Sequence, residues 1–445
     1  MKISVVGTGY VGLVSGVCLA EVGHEVVCVD NLPDKVDKIN AGEPPIYERD
    51  LDKLLKSNVG SKLVATTDLR KAVLESDLSL IAVGTPFDGS EIDLSYIEQV
   101  SREIGAALKE KESYHVVVVK STVVPGTTIN VVMPILEQSS GKKAGEGFGV
   151  GMNPEFLREG EAIDDFMYPD RIVLGGIDDK TLEVMDQLYS VFDKVDIIRT
   201  NPSTAELIKY CSNSLLATMI SFANEIGNLA ASIDGVDVVE VMRGVHLDKR
   251  LSPITETHER IMPVITTYLE AGCGFGGSCF PKDVNALIAY GKNMGLGMSV
   301  LDSVIKVNAA QPQRVIDLIS KHYSDFKGLK VAILGLAFKP GTDDMRESPA
   351  IPVVNGLLDS GADVRAYDPI AQEEAEKVFA DKEIHYSGSL DDVTSEVDVV
   401  VLMTRWPEFN QLPEILSSKD QPPLLVDGRR MIDKSAISRY EGIGL

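Results

Sequence analysis

One cysteine lies in a glycine-rich stretch of this chain where it could act as a nucleophile. The segment from Gly274 to Asp283 reads GFGGSCFPKD, so Cys279 precedes Pro281 by two residues and Asp283 by four. Proline favours the first helical position, which predicts that Cys279 stands just before a helix N-terminus. Such a position lowers the pKa of a thiol and makes the reactive thiolate available. The glycines would let a substrate carbon approach, and Asp283 could serve as a hydrogen-bond partner or base.

A second motif, at the start of the chain, predicts a dinucleotide site. Gly7, Gly9 and Gly12 form a Gly-x-Gly-x-x-Gly sequence after a strand-like run, and Asp30 ends the next strand-like run. The glycines permit a tight turn with a pyrophosphate at the helix N-terminus, and the acid accepts hydrogen bonds from ribose hydroxyls. Because Asp30 would repel a 2′-phosphate, NAD is favoured over NADP. Lys35 is a candidate partner for the pyrophosphate or ribose, although a lysine there is more commonly just exposed.

Composition limits the remaining classes of function. The chain has 445 residues, 44% of them hydrophobic and 25% charged, which is typical of a soluble protein with two or three domains. A net charge of −24 argues against nucleic-acid binding. Without an apolar run of about 18 residues or a leader-like N-terminus, we expect no membrane partner and a cytoplasmic location. Five cysteines and six scattered histidines favour reduced thiols and no metal site.

Alternating strand-like and helical runs predict an α/β fold. We expect two Rossmann-like, doubly wound parallel-sheet domains joined by a long helix and a helical middle domain. The predicted domains are residues 1–200 for NAD, 201–315 for the helical part with the cysteine, and 316–445 for a second nucleotide lobe. That second lobe carries GLAFKPG in place of a Gly-x-Gly-x-x-Gly loop, so it would bind something other than a dinucleotide.

The long helix is predicted over Ser203–Ile233. Ser203 followed by Glu206 predicts a capping box at its start. Its apolar faces predict a subunit contact, and hence a homodimer formed through this helix. Lys209 and Asn213 are four residues apart and therefore share one face.

Five segments together carry a resemblance to a known family. GFGGSCFPKD, AELIKYCSN, KSTVVPGTT, NPEFLREG and LAFKPGTDDMRESP resemble, in order, the motifs of the UDP-glucose/GDP-mannose dehydrogenase family. The resemblance implies NAD-dependent, four-electron oxidation of the C6 alcohol of a nucleotide sugar, with UDP-glucose as the favoured substrate. Two NAD⁺ would be used, and the aldehyde would be held on a cysteine as a thiohemiacetal and then as a thioester.

The resemblance also assigns roles to residues. It implies that Cys279 is the nucleophile, Asp283 its acid/base neighbour, Lys209 and Asn213 the groups that stabilise the oxyanion, and Glu155 the hydrolytic base, with water held on Thr122. The implied cofactor-binding residues are Gly7, Gly9, Tyr10, Val11, Gly12, Asp30, Lys35, Thr85, Thr122, Glu159 and Arg346. The implied substrate-binding residues are Glu155, Phe156, Leu157, Lys209, Asn213, Arg250, Phe275, Gly276, Lys339, Arg429 and Arg430.

Several alternatives remain open at this stage. A GDP-mannose dehydrogenase would share the same cysteine motif, whereas UDP-N-acetylmannosamine enzymes usually depart from Pro-Lys-Asp. A one-step 3-hydroxyacid dehydrogenase would need neither Cys279 nor a second nucleotide lobe, and a catalytically idle sensor would not need the intact catalytic set. Arg250 lies further upstream of the cysteine motif than its family counterpart, and residues 252–269 form a longer connection.

Overall fold

Short β-branched runs form the strands of two sheets, and amphipathic segments between them form the covering helices. The computed structural model describes all 445 residues, which divide into one unit of residues 1–212 and another of residues 213–445. The division falls within the long helix, and the helical middle segment after it belongs to the same unit as the second sheet. The division of the chain into the three predicted domains remains a prediction.

The first unit contains an eight-stranded sheet in the order β3-β2-β1-β4-β5-β6-β7-β8. Its strands are β1 (Lys2–Val6), β2 (Glu25–Val29), β3 (Leu63–Thr66), β4 (Leu78–Ile81), β5 (Val116–Val119), β6 (Gly149–Met152), β7 (Arg171–Gly176) and β8 (Asp196–Thr200). Its helices are α1 (Tyr10–Glu21), α2 (Pro33–Asn40), α3 (Leu51–Asn58), α4 (Leu69–Glu75), α5 (Ser95–Glu110), α6 (Met133–Ser140), α7 (Ala162–Met167) and α8 (Asp179–Leu188).

One strand pair of this sheet departs from the predicted parallel arrangement. Strand β7 runs antiparallel to β6, with Gly151 opposite Gly176 and Met152 opposite Gly175, while all other pairs are parallel. The carboxyl ends of β1, β2, β4, β5 and β6 still lie at one edge of the sheet. Ligands of doubly wound sheets bind at that edge, so the reversal leaves the predicted site edge intact.

Helix α9 (Pro202–Ala230) begins close to the predicted residue but with a different cap. The Asn201 side chain accepts a hydrogen bond from the Thr204 amide at 2.9 Å, which is the geometry of an N-cap. The buried Glu206 carboxylate instead accepts from the amides of Gly126 and Thr128. The predicted capping box is wrong, because Glu206 is used to hold the loop after β5.

The second unit contains a six-stranded, fully parallel sheet in the order β11-β10-β9-β12-β13-β14. These strands are β9 (Lys330–Leu334), β10 (Asp363–Tyr367), β11 (His385–Tyr386), β12 (Val399–Leu402), β13 (Leu424–Asp427) and β14 (Tyr440–Gly442). The helices after α9 are α10 (Val238–His246), α11 (Phe280–Asn293), α12 (Ser299–Ser320), α13 (Ala350–Asp359), α14 (Gln372–Val378), α15 (Leu390–Val393) and α16 (Leu412–Ser417).

Both sheets have the strand order of a nucleotide-binding fold, so the predicted α/β class with two Rossmann-like domains and a helical middle region is confirmed. Each sheet is covered on its two faces by apolar side chains that form separate core clusters. No helix has the length and apolar character required to cross a lipid bilayer.

Candidate active site

The glycine motif between β1 and α1 has the geometry that a dinucleotide requires. Gly7 adopts a positive φ of 97°, and Gly9 is the residue that precedes α1. A Cβ at Gly12 would lie 1.9 Å from the Gly7 carbonyl oxygen, so only glycine allows this close packing of turn and helix. A Cβ at Gly9 would meet nothing within 4 Å, which leaves open space where the backbone can approach a pyrophosphate.

Asp30 lies at the carboxyl end of β2, beside this turn. Its Oδ2 accepts hydrogen bonds from the Thr8 amide at 3.0 Å and the Thr8 hydroxyl at 2.6 Å, and its Oδ1 accepts from the Leu32 amide. Burial alone would raise the pKa of Asp30. These hydrogen bonds and Lys35, 3.8 Å away, lower it by more than burial raises it, so the pKa is below its ordinary value. The carboxylate is therefore ionised and keeps acceptor capacity for a ribose.

Two further contacts connect the predicted cofactor residues of the first unit. The Tyr10 hydroxyl donates to Glu48, whose carboxylate also accepts from the amides of Gly160 and Ala162. This arrangement fastens the loop that follows Glu159 to the first helix. The Thr85 hydroxyl donates to the Thr122 carbonyl at 2.8 Å, so these two residues also lie together. Sequence reasoning missed Glu48, which belongs to no motif.

Glu155 and Lys209 form a buried ion pair, with 2.8 Å between Oε1 and Nζ and only 6% and 5% of the side chains exposed. The Leu157 amide donates to the other carboxylate oxygen at 2.7 Å, and the Phe156 ring centre lies 5.5 Å from Nζ. Burial raises the pKa of Glu155, but Lys209, the Leu157 amide and the nearby Lys120 lower it below its ordinary value. The structure thus brings the predicted base and the predicted oxyanion-stabilising cation into direct contact.

Lys120 is a second buried cation near this pair, and sequence reasoning missed it. Its ammonium donates to Asn153 Oδ1 at 2.9 Å, and the Tyr189 hydroxyl donates to the same oxygen. Burial and the charge of Lys209 lower the pKa of Lys120 to about 8, although Glu155 opposes this shift. The feature of the sequence that could have indicated it is its position at the end of β5, directly before Ser121 and Thr122.

Cys279 lies at the start of α11, as the sequence predicted. It is the N-cap residue, partly exposed, and its Sγ lies 3.5 Å from the Ser278 hydroxyl. Pro281 occupies the second helical position rather than the first. The Asp283 amide donates to the Cys279 carbonyl at 2.8 Å, which closes the first turn of the helix.

The Asp283 carboxylate is buried and binds two neighbours. Its Oδ2 accepts from the Asn213 side chain at 2.6 Å, and its Oδ1 accepts from Lys282 Nζ at 2.6 Å. The predicted residues Asn213 and Asp283 are therefore in contact, and Lys282 joins them. Sequence reasoning quoted Lys282 within the motif but gave it no role.

The two arginines after β13 point to different places. Arg429 donates to three carbonyls, those of Met403, Gly274 and Phe338, at 2.7, 2.8 and 3.4 Å. Arg430 is buried and donates to Asp237 at 2.9 Å. Of the pair that sequence reasoning left undivided, only Arg429 contacts the segment that leads to Cys279.

The other residues predicted to bind substrate or cofactor in the second unit lie as follows. Arg250 is exposed and binds Asp248, two residues earlier in its own loop, at 3.0 Å. Arg346 binds Asp344 at 2.8 Å, and Lys339 Nζ lies 5.8 Å from the centre of the Phe338 ring. Phe275 contacts Phe280 edge-on, next to Cys279, with 5.9 Å between ring centres.

The fold and these contacts define an NAD-dependent dehydrogenase that has a nucleotide-binding sheet in each unit and a cysteine at a helix start. Three models of one family match successive parts of the chain: the NAD binding domain over residues 1–193, the central domain over 203–310 and the UDP binding domain over 332–434. The chain belongs to the UDP-glucose/GDP-mannose dehydrogenase family. The predicted family, the nucleotide-sugar dehydrogenase activity and NAD as cofactor are confirmed.

Individual relatives are similar over nearly the whole length. UDP-glucose 6-dehydrogenase AglM of Haloferax volcanii is 40% identical over 448 residues, with all of both chains covered. GDP-mannose 6-dehydrogenase of Pseudomonas aeruginosa is 43% identical over 413 residues, which cover 90% of this chain and 91% of its own. A solved UDP-glucose dehydrogenase from Pyrobaculum islandicum gives a TM-score of 0.90 at 39% identity, covering 99% of this chain and 97% of its own.

Proposed function

We propose that this protein oxidises the C6 alcohol of UDP-glucose to the carboxylate of UDP-glucuronate, with two NAD⁺ per sugar. The observation that carries the proposal is Cys279, partly exposed at the N-terminus of α11 in a segment of glycines. A helix N-terminus favours a thiolate, and a one-step dehydrogenase has no use for one. The names of the Haloferax and Pyrobaculum relatives support UDP-glucose as the substrate.

The chemistry proceeds through a covalent bond to Cys279. NAD⁺, when bound, accepts one hydride from C6 in each oxidation. The first oxidation also removes the proton of the C6 hydroxyl; the Cys279 thiolate then adds to the C6 aldehyde, whose oxygen takes up one proton to give a thiohemiacetal. Loss of the second hydride and of the hydroxyl proton leaves a thioester. Water then attacks the thioester, breaks the C–S bond and releases the acid and the thiolate.

We assign the remaining roles to the buried charged groups. Lys209 donates to the oxygen on C6 as negative charge develops there, and Asn213, one turn along α9, donates to the same oxygen. The ionised Glu155 takes a proton from the hydrolytic water held on Thr122. Asp283, fixed by Asn213 and Lys282, serves as the acid/base neighbour of the thiol. The Rossmann turn from Gly7 to Gly12 and Asp30 hold the NAD⁺.

The identity of the sugar nucleotide can be tested by comparing the rates of NADH release with different sugar nucleotides. We expect NADH release with UDP-glucose to exceed that with UDP-galactose, GDP-mannose and UDP-N-acetylmannosamine by at least about tenfold in kcat/KM, because a pocket that hydrogen-bonds one sugar leaves polar groups unpaired with another. A higher kcat/KM with GDP-mannose would replace UDP-glucose by the substrate named for the Pseudomonas relative.

We also propose a homodimer formed through α9. Leu215, Phe222 and Leu229 are seven residues apart and 48–57% exposed, so they form an apolar stripe along one face of the helix. A stripe of this kind is typical of a helix that packs against a partner. The proposal further places the enzyme in the cytoplasm, where free thiols stay reduced.

Replacing Phe222 with glutamate should separate the dimer, because it puts a charge in the middle of the apolar stripe. We expect the wild type to have twice the 48.2 kDa chain mass in analytical ultracentrifugation and the variant to shift towards the monomer. Val378→Glu is the matched control, since Val378 is exposed to a similar extent on α14 and should not affect the mass. A variant that stays dimeric would place the interface elsewhere.

A further inference from the structure

The backbone that leads to Cys279 is held by side-chain amides from two helices. The Asn308 side chain on α12 pairs with both backbone groups of Phe275: Oδ1 accepts from the Phe275 amide at 2.8 Å, and Nδ2 donates to the Phe275 carbonyl at 3.0 Å. A two-point contact of this kind fixes the peptide in position and in orientation. Phe275 is four residues before the thiol.

Gly272 is held in a similar way, three residues further back. Its amide donates to Asn224 Oδ1 on α9, and its carbonyl accepts from Gln311 Nε2 on α12, both at 2.8 Å. Gln311 is itself fully buried and accepts a hydrogen bond from Asn228. Asn308 and Gln311 are three residues apart on α12, so one helix face presents both to the segment.

The opposite side of the segment is fixed by loops of the second sheet. The Cys273 amide donates to the Gly428 carbonyl and the Gly277 amide to the Arg346 carbonyl, both at 2.8 Å. A Cβ at Gly276 would lie 2.1 Å from the Glu347 carbonyl oxygen. The segment therefore has backbone partners on both sides, and its glycines are required for that close approach.

We infer that Asn308, supported by Gln311, is a positioning residue for Cys279: the paired amide contacts hold residues 272–277 so that the thiol meets the C6 aldehyde. The inference rests on the proposed function. Covalent attack requires the reacting atoms to approach within about 3–3.5 Å, and a displacement of about 1 Å costs about 100-fold in rate. The first hydride transfer does not use the thiol, so loss of the clamp should slow the second oxidation selectively.

The two oxidations of one substrate provide the test. In the full-length enzyme with saturating UDP-glucose and NAD⁺, so that weaker sugar binding through Phe275 does not limit the rate, we expect Asn308→Ala to release the first NADH within about threefold of the wild-type rate. The second should slow by about 10- to 100-fold, so that a C6 aldehyde accumulates and is trapped by an aminooxy reagent. Alkylation of Cys279 by iodoacetamide should also become faster, because a loosened segment exposes the partly buried thiol more, and general loss of stability would not alter this rate in the folded fraction.

Two further variants separate the loss of the Asn308 contacts from a general effect on folding. Asn308→Asp retains the acceptor for the Phe275 amide but turns the donor into an oxygen that repels the Phe275 carbonyl, so it should show the same selective defect in a nearly isosteric side chain. Asn355→Ala, on α13 of the same unit, is the control and should leave both rates unchanged. Equal slowing of both oxidations, or of neither, in folded Asn308→Asp would overturn the inference. A wild-type enzyme that makes one NADH per sugar would refute the proposed function instead.

Discussion

Cys279→Ser is expected to abolish formation of the sugar acid while leaving at most one NADH per enzyme-bound sugar. A serine hydroxyl at the start of α11 stays protonated at neutral pH, so it adds to the aldehyde far more weakly than a thiolate. The reaction then stalls at the aldehyde or at an unproductive adduct. Rapid-quench measurement of NADH, together with mass spectrometry of the sugar product, reads out both quantities.

Cys273→Ser is the matched control for this experiment. Cys273 lies in the same segment but is fully buried, where its Sγ faces the Met403 carbonyl at 3.7 Å. We expect this variant to make two NADH per sugar. Two NADH per sugar at the native rate from Cys279→Ser would exclude a thioester.

Lys209→Met is expected to lower kcat by about 100- to 1,000-fold, the usual effect of removing a group that stabilises an oxyanion. It should also reduce the free energy of unfolding by about 3–5 kcal/mol, because it leaves the Glu155 carboxylate buried beside one remaining cation, Lys120. The double variant Lys209→Met/Glu155→Gln should recover much of the stability but none of the activity, since it removes the uncompensated charge.

The pH dependence of Lys209→Met gives a second signature. Without Lys209, burial should raise the pKa of Glu155 above its value in the unfolded chain. A raised carboxyl pKa contributes stability that is present at low pH and is lost as the pH rises through the folded-state pKa. Chemical denaturation should therefore show a larger deficit, relative to the double variant, at pH 7 than at pH 5. Equal stability of the single and double variants at both values would mean that Glu155 and Lys209 are not energetically coupled.

Local patterns in the sequence were sufficient for the features that depend on neighbouring residues. The turn from Gly7 to Gly12 and the placement of Cys279 before α11 both follow from a few adjacent residue types. The first requires glycines at a strand-to-helix turn, and the second requires a proline in a first helical turn. Both predictions are confirmed by the structure.

Features that depend on distant partners were not predictable in this way. Asn308 lies 33 residues from Phe275 in the sequence, and nothing in a helical pattern indicates that its amide faces a backbone group. Glu206 matched a local capping pattern, yet it binds an amide 80 residues away at Gly126. Tertiary contacts decided both cases.

Tertiary contacts also distinguish charged residues that could not be told apart from the sequence. Arg429 and Arg430 are adjacent, but one donates to the segment before Cys279 and the other to Asp237. In the sequence, nothing distinguishes Lys120 from any other lysine that follows a strand. In the structure it is buried beside Asn153. Strand β3 has only four residues and alternate ones are partly exposed, so its sequence carries little of the pattern of a buried strand.

The most direct test of the central claim is the number of NADH molecules formed per UDP-glucose when the sugar is limiting and NAD⁺ is in excess. The thiol-dependent mechanism predicts two NADH for each UDP-glucose consumed, with UDP-glucuronate as the only sugar product. One NADH per sugar, with an aldehyde as the final product, would contradict it.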